Sequence, residues 1–198
     1  MKINIIKNLA VLASLVVISG CAHNIQISPD LEKIRQVRPM VTIDKNVAYY
    51  ISAANKEKEV TTPGGGGETV VYKPYADSEG ALNTVLSNQF SRVYSLDSIY
   101  NKKYLHEKNI SYIFIPEITT NSSSSSTFTW PPTEFTINLF FKALDQEGNI
   151  ILEKDLTSTG NAEFSEFMDD FPLAARRSSE LLFIELSKEI SKEKHLFK

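Results

Sequence analysis

Apolar positions along the chain recur with two periods, and each period marks a kind of element. Leu82, Leu86 and Phe90 recur every four residues beside Ala81 and Val85, which predicts a helix over 77–91 with Asp77 as its cap and Glu79 in its first turn. A second helix is predicted over 172–192. Pro172 suits its first turn, and Ala175, Ser178, Ser179, Leu182, Leu186 and Ile190 share one face. A weaker helix over 98–108 carries Ile99, Tyr104 and Leu105. Between them the period drops to two. Phe135, Ile137, Leu139, Phe141 and Ala143 alternate with Thr136, Asn138 and Lys142, with Phe140 the exception on the polar face. The turn residues 145–149 then lead into a return strand carrying Ile150, Leu152 and Leu156.

Shorter β-rich runs lie at 46–51, 68–75 and 93–96. The run 110–115 is nearly all apolar, as a strand covered on both faces would be, and Pro116 is expected to end it. Residues 119–133 then read as a long polar loop. This order predicts one α+β domain over 46–198: a single mixed or antiparallel sheet of about five strands, with the two main helices packed on one face. Leu82, Leu86, Leu182 and Leu186 should lie between helix and sheet, together with Ile113 and Ile137. His23 to about Val41 is polar and contains Pro29 and Pro39, so 21–45 reads as a tether with one short strand at 25–27.

Composition narrows the class. The chain has 198 residues, 42% of them hydrophobic, 23% charged and 10% aromatic, which is enough for one packed core. A net charge of −3 gives no general pull on nucleic acid. One cysteine excludes an internal disulfide framework and a multi-cysteine zinc site.

That cysteine closes an N-terminal pattern. Lys2 and Lys7 precede an apolar run, Leu9 to Ile18, broken only by Ser14. The run is too short for a membrane span of about 20 residues but suits a secretory signal. Ile18-Ser19-Gly20-Cys21 follows. This resembles the lipobox of bacterial lipoproteins. The resemblance implies cleavage after Gly20, a diacylglyceryl thioether on Cys21 and acylation of the new amine, so that 1–20 is a signal peptide. Several acyl chains hold a protein at a bilayer far more firmly than one. The residue after the cysteine is Ala22, not the aspartate associated with inner-membrane retention, and the resemblance therefore implies the outer membrane, with the domain in the periplasm.

Other motifs favour structural readings. Gly64 to Gly67 lacks the Gly-Lys-Ser/Thr of a phosphate loop and is followed by Glu68, so it reads as a hairpin connection. His23, His106 and His195 have no partner at metal-ligand spacing, and no metal or cofactor is expected beyond the lipid on Cys21. Ser122 to Ser126 lacks a nucleophile elbow. Glu163, Glu166, Asp169 and Asp170 are interleaved with Phe164, Phe167 and Phe171. The phenylalanines suit one buried edge with the acids in water, and paired carboxylates acting on a periplasmic glycan or lipid are the enzymatic alternative. Arg176 and Arg177 are placed for pairing with Glu180. Phe128, Trp130, Pro131 and Pro132, at the end of the serine-rich loop, are the best candidates for partner binding, with a plug over the sheet edge as the equal alternative.

With the lipobox, the order of elements is similar to the YajG-like lipoproteins and to the auxiliary lipoproteins of envelope transport systems. That likeness implies a non-enzymatic domain that binds another envelope component. The alternatives are the hydrolase and a structural lipoprotein with no specific partner.

Overall fold

The computed structural model describes residues 22–63, 69–123 and 133–198. Its strands are β1 (Ala22–Asn24), β2 (Ile43–Tyr50), β3 (Val60–Pro63), β4 (Thr69–Tyr72), β5 (Phe90–Leu96), β6 (Ile110–Ser123), β7 (Glu134–Leu144) and β8 (Ile150–Asn161). Its helices are α1 (Leu31–Gln36), α2 (Ala53–Lys56), α3 (Pro74–Gln89), α4 (Lys102–Glu107), α5 (Phe164–Asp169) and α6 (Leu173–Lys192). The mixed α+β class and the five-stranded main sheet stand, but the chain forms two sheets rather than one. The main sheet has the order β5-β2-β6-β7-β8, and a small second sheet has the order β1-β4-β3. β2 pairs parallel with β5 and β6, while β6-β7-β8 is an antiparallel meander.

α3 and α6 cover one face of the main sheet. Leu82, Leu86, Leu182 and Leu186 are buried there with Ile137, Phe114 and Phe141, whose rings stack at 5.2 Å. Ile113 is the exception to the expected core. It lies on the opposite face with Ala48, Leu96, Leu105 and Ile110, under α4. The reason is strand alternation, which sends Tyr112 and Phe114 to one face and Ile113 to the other. The register with β2 slips between Asn46 and Val47, and this bulge puts Ile110 on the same face as Ile113.

Pro116 does not end β6, which continues to Ser123, so the first five residues of the expected polar loop are strand. Pairing with β2 stops at Phe114, while pairing with β7 runs on past Pro116. The backbone N–H of Ile118, of the same parity as Pro116, is taken by the Tyr75 hydroxyl at 3.0 Å, away from β7. The missing N–H of Pro116 therefore falls on a side where no strand needs it.

The expected tether is part of the domain. Ala22 to Asn24 pair in parallel with Thr69 to Val71, three residues before the predicted strand. Ile27 and Ile34 are fully buried in the main core. The Ile27 N–H donates to Asp77 Oδ2 at 3.1 Å in the first turn of α3, so Asp77 holds this segment instead of capping the helix, which begins at Pro74. Asn88 donates to the Ile34 carbonyl, Ser187 donates to the Val37 carbonyl, and Lys33 pairs with Glu180 at 3.0 Å. Residues 27–37 thus run along the seam between α3 and α6, from their N-terminal to their C-terminal ends. The two helices point the same way, and the Gln89 amide bonds Ser187 and Ser191 near the far end.

Two features fix α6 on the sheet. A Cβ on Gly160 would meet the Ala174 carbonyl oxygen at 2.1 Å and the Ser178 nitrogen at 2.4 Å, so β8 and α6 approach backbone to backbone. Ser178 also donates to the Ser158 carbonyl at 2.8 Å. At the far end of β8, Lys154 pairs with Glu189 and Glu193. The 145–149 turn forms as expected. Gly148 takes φ +91°, and Asp145 accepts from the backbones of Glu147 and Asn149.

Candidate functional site

Cys21 and Gly20 lie outside the described residues, as do Gly64 to Gly67, Phe128, Trp130, Pro131 and Pro132. What is described is where the chain enters and leaves these segments, and all three emerge at one end of the molecule. Ala22 pairs with Thr69, which pairs with Pro63 across the glycine connection. Ser123, Glu134 and Asn161 are partnered across the ends of β6, β7 and β8, and the Ala162 N–H donates to the Thr133 carbonyl. The N-terminus of α6 lies here too, through Gly160, and α5 joins β8 to it.

α5 and the acids around it are built for structure. Glu163 and Glu166 form a reciprocal capping box, a device that satisfies free backbone N–H groups at a helix start. Glu166 also takes a two-point contact from Arg177, both N–O distances 2.8 Å, and this guanidinium holds its carboxyl down at about 2. A carboxyl so low stays charged at any physiological pH and cannot act as a general acid. Asp170 is paired with Arg176. Arg176 and Arg177 therefore reach back to α5, whereas Glu180, their expected partner, pairs with Lys33. Asp169 and Asp170 line one open groove, and Asp170 is held there by Arg176. Among the described residues no group of three His, Cys, Asp or Glu is placed to hold a metal.

The phenylalanines do not form one buried edge. Phe167 is 1% exposed and anchors α5 to the core, whereas Phe164 is 55% and Met168 56% exposed. Phe171 is exposed. Its ring lies 5.2 Å from Phe167 and 6.2 Å, edge-on, from His23 in β1. The open groove, of about 690 Å³, runs beside this contact, lined by Asn24, Gln26, Asp169, Asp170, Phe171 and Arg176 among others. On the other side of the same strand lies a smaller groove of about 320 Å³, bounded by Tyr72, Lys73 and Asp77. Burial pushes the Asp77 carboxyl up, against the backbone hydrogen bonds that it accepts. Both grooves are shallow and mixed in character, suited to a surface contact more than to an enclosed small molecule.

Sequence reasoning missed Phe164 and Met168 as surface residues. The steps of three and four in Phe164, Phe167 and Phe171 carry the signal of a buried face, but a six-residue helix with one core contact buries only one of them.

No family model matches the chain, and no curated protein does. Solved structures give matches of low identity. A protein of the DUF330 family from Xanthomonas campestris aligns with TM-score 0.47 and 14% identity, over 90% of this chain and 95% of its own. A PelC dodecamer from Paraburkholderia phytofirmans aligns with TM-score 0.39 and 14% identity, over 73% and 93%. A candidate lipoprotein from Caulobacter crescentus gives 0.31 and 9%, over 82% and 96%. All three lie below a TM-score of 0.5, and nothing about this chain's task is carried over from them. Among the described residues no helix is long and apolar enough to cross a membrane.

Proposed function

We propose that this chain is an outer-membrane lipoprotein, attached through lipid on Cys21, whose periplasmic domain binds another component of the envelope and is not an enzyme. The observation that carries the reading is Ile18-Ser19-Gly20-Cys21 standing directly before the strand Ala22–Asn24. Small residues beside Gly20 let the backbone enter a peptidase cleft, and the cysteine sulfur supplies the nucleophile for a diacylglyceryl group. Binding in place of catalysis is supported by the acidic segment, where Glu163, Glu166 and Asp170 serve a helix cap and ion pairs.

Partner contact is assigned to Phe128, Trp130, Pro131 and Pro132, in the connection between β6 and β7. A tryptophan beside two prolines presents a large amphipathic ring on a stiff stem. Fractionation of cells expressing Cys21→Ser tests the anchor. Labelling with radioactive palmitate should be lost, and the domain should move to the soluble periplasmic fraction. A Cys21→Ser protein that stays with the membrane as firmly as the wild type would show that lipid is not what holds it. In the same cells, Trp130→Ala should weaken crosslinking to the partner and leave the thermal midpoint nearly unchanged. A large fall in that midpoint would mark Trp130 as a core plug.

A further inference from the structure

A lipid anchor on Cys21 has no slack behind it. The next residue, Ala22, is already the first of β1 and pairs with Thr69, and its neighbours pair with Val70 and Val71 of β4. His23 is two residues from Cys21, a span of at most about 7 Å of chain. Because Ile27 and Ile34 are buried in the core, residues 22–37 cannot peel away as a spacer without opening the domain. The end of the molecule that carries β1 must therefore sit at the bilayer surface.

That same end exposes two large apolar side chains on one helix face. Phe164 and Met168 are four residues apart on α5, so they point the same way, while Phe167, beside them and 1% exposed, fixes the helix to the core. The ring series Phe164, Phe167, Phe171 and His23 links this helix directly to β1 at centroid separations of 6.0, 5.2 and 6.2 Å. Two of the nearby acids are neutralised locally, Glu166 by Arg177 and Asp170 by Arg176. Glu163 and Asp169 keep the patch mildly acidic, which suits a zwitterionic lipid surface better than a strongly anionic one.

We infer that α5 is a membrane-seating face: Phe164 and Met168 enter the interfacial zone of the leaflet that holds the anchor, and so fix the domain's orientation on it. This rests on the proposed lipidation of Cys21. The apolar residues at the opposite end, Met40 and Val41, are 104% and 76% exposed and lie beside the C-terminal ends of α3 and α6. A 20-residue helix such as α6 is about 30 Å long, so these residues point away from the bilayer.

The test uses the full-length lipoprotein with Met168→Cys or, as the distal control, Val41→Cys. Each is treated with an environment-sensitive maleimide fluorophore and reconstituted into phosphatidylethanolamine and phosphatidylcholine vesicles containing brominated acyl chains. A thioether on Cys21 cannot react with maleimide, so each variant should take one label per chain. A blue shift and strong quenching at position 168, with neither at position 41, is the expected result. One label per chain with position 168 as water-exposed as position 41, or with both equally quenched, overturns the seating face and leaves the lipoprotein reading intact. Two labels per chain show Cys21 to be free, so the anchor reading fails and the seating face with it. In lipid-free protein that combines Cys21→Ser with Met168→Cys, a concentration-dependent blue shift would assign the face to a second copy and overturn the membrane assignment.

Discussion

The two faces of the main sheet are covered in different ways. On one, α3 and α6 bring four leucines against Phe114, Ile137, Leu139 and Phe141, and residues 27–37 close the seam above them. On the other, the six-residue α4, through Leu105, and a few tyrosines lie over Ala48, Leu96, Ile110 and Ile113. The helix face is closed at backbone distance, with Gly160 against Ala174 and Ser178. The α4 face is closed by side chains alone. Strand alternation sets part of the difference: β7 sends Phe135, Ile137, Leu139 and Phe141 under the helices and Thr136, Asn138 and Lys142 to the other side. The rest comes from what each connection can bring back over the sheet.

The largest effect that tests this contrast is truncation on either side. Leu186→Ala removes a side chain with no exposure, from the middle of α6, and should cost ~2–5 kcal/mol in denaturant unfolding. Leu105→Ala, from the short α4, should fall at or below the bottom of that range, because a one-helix cover can settle into the space. Equal costs would mean that the two faces are equally rigid.

A pair of glycines sharpens the comparison within the helix face. Gly160→Ala should destabilise the protein by about 3 kcal/mol or more, because the new methyl meets backbone that side-chain rotation cannot move. Gly80→Ala, whose new methyl would find only the Leu31 side chain at 3.8 Å, should stabilise α3 by ~0.5–1 kcal/mol. Thermal melting of both variants checks the opposite signs.

The smallest effect is the pH response of α5. Glu166 falls from an ordinary 4.5 to about 2 in the folded protein, first because of the Arg177 contact and then because of the Glu163 backbone N–H. A lowered carboxyl contributes stability that is fully present above 4.5 and is lost as the pH falls from there towards 2. Glu166→Gln should flatten this part of the acid-unfolding profile by lowering stability modestly above pH 4.5, where the charged pair contributes in full, and leave stability near pH 2 little changed. An unchanged acid limb would show that the pair does not couple to folding.

How much of this was legible depended on how many contacts each segment makes along its own length. α3, α6 and the β7-β8 hairpin bury a residue every turn or every second position, so their periods appear in the sequence. Residues 22–37 bury only Ile27, Pro29 and Ile34, with no helical or strand period, in a seam supplied by two other helices. A stretch with so few inward residues reads as polar linker. Phe197 is hidden for the same reason: it is buried against Phe90 and Tyr112 at the end of a basic tail. Pro116 was misread because the cost of a missing N–H depends on which neighbour it faces, and no local pattern shows that. At the candidate site the cysteine motif was plain, whereas the exposure of Phe164 and Met168 depends on how α5 is docked by Arg177 and Phe167.

The hydrogen bond from Ser187 to the Val37 carbonyl joins residues 150 positions apart. Contacts of such long range close late, because the intervening chain must first be ordered. Residues 27–37, early in the chain, therefore dock last, once α3 and α6 lie side by side to receive them. Until then residues 27–37 leave the seam between α3 and α6 open. On the proposed lipidation of Cys21, maturation of the N-terminus and completion of the fold become successive steps on neighbouring residues, and a chain that folded too early would hinder its own modification.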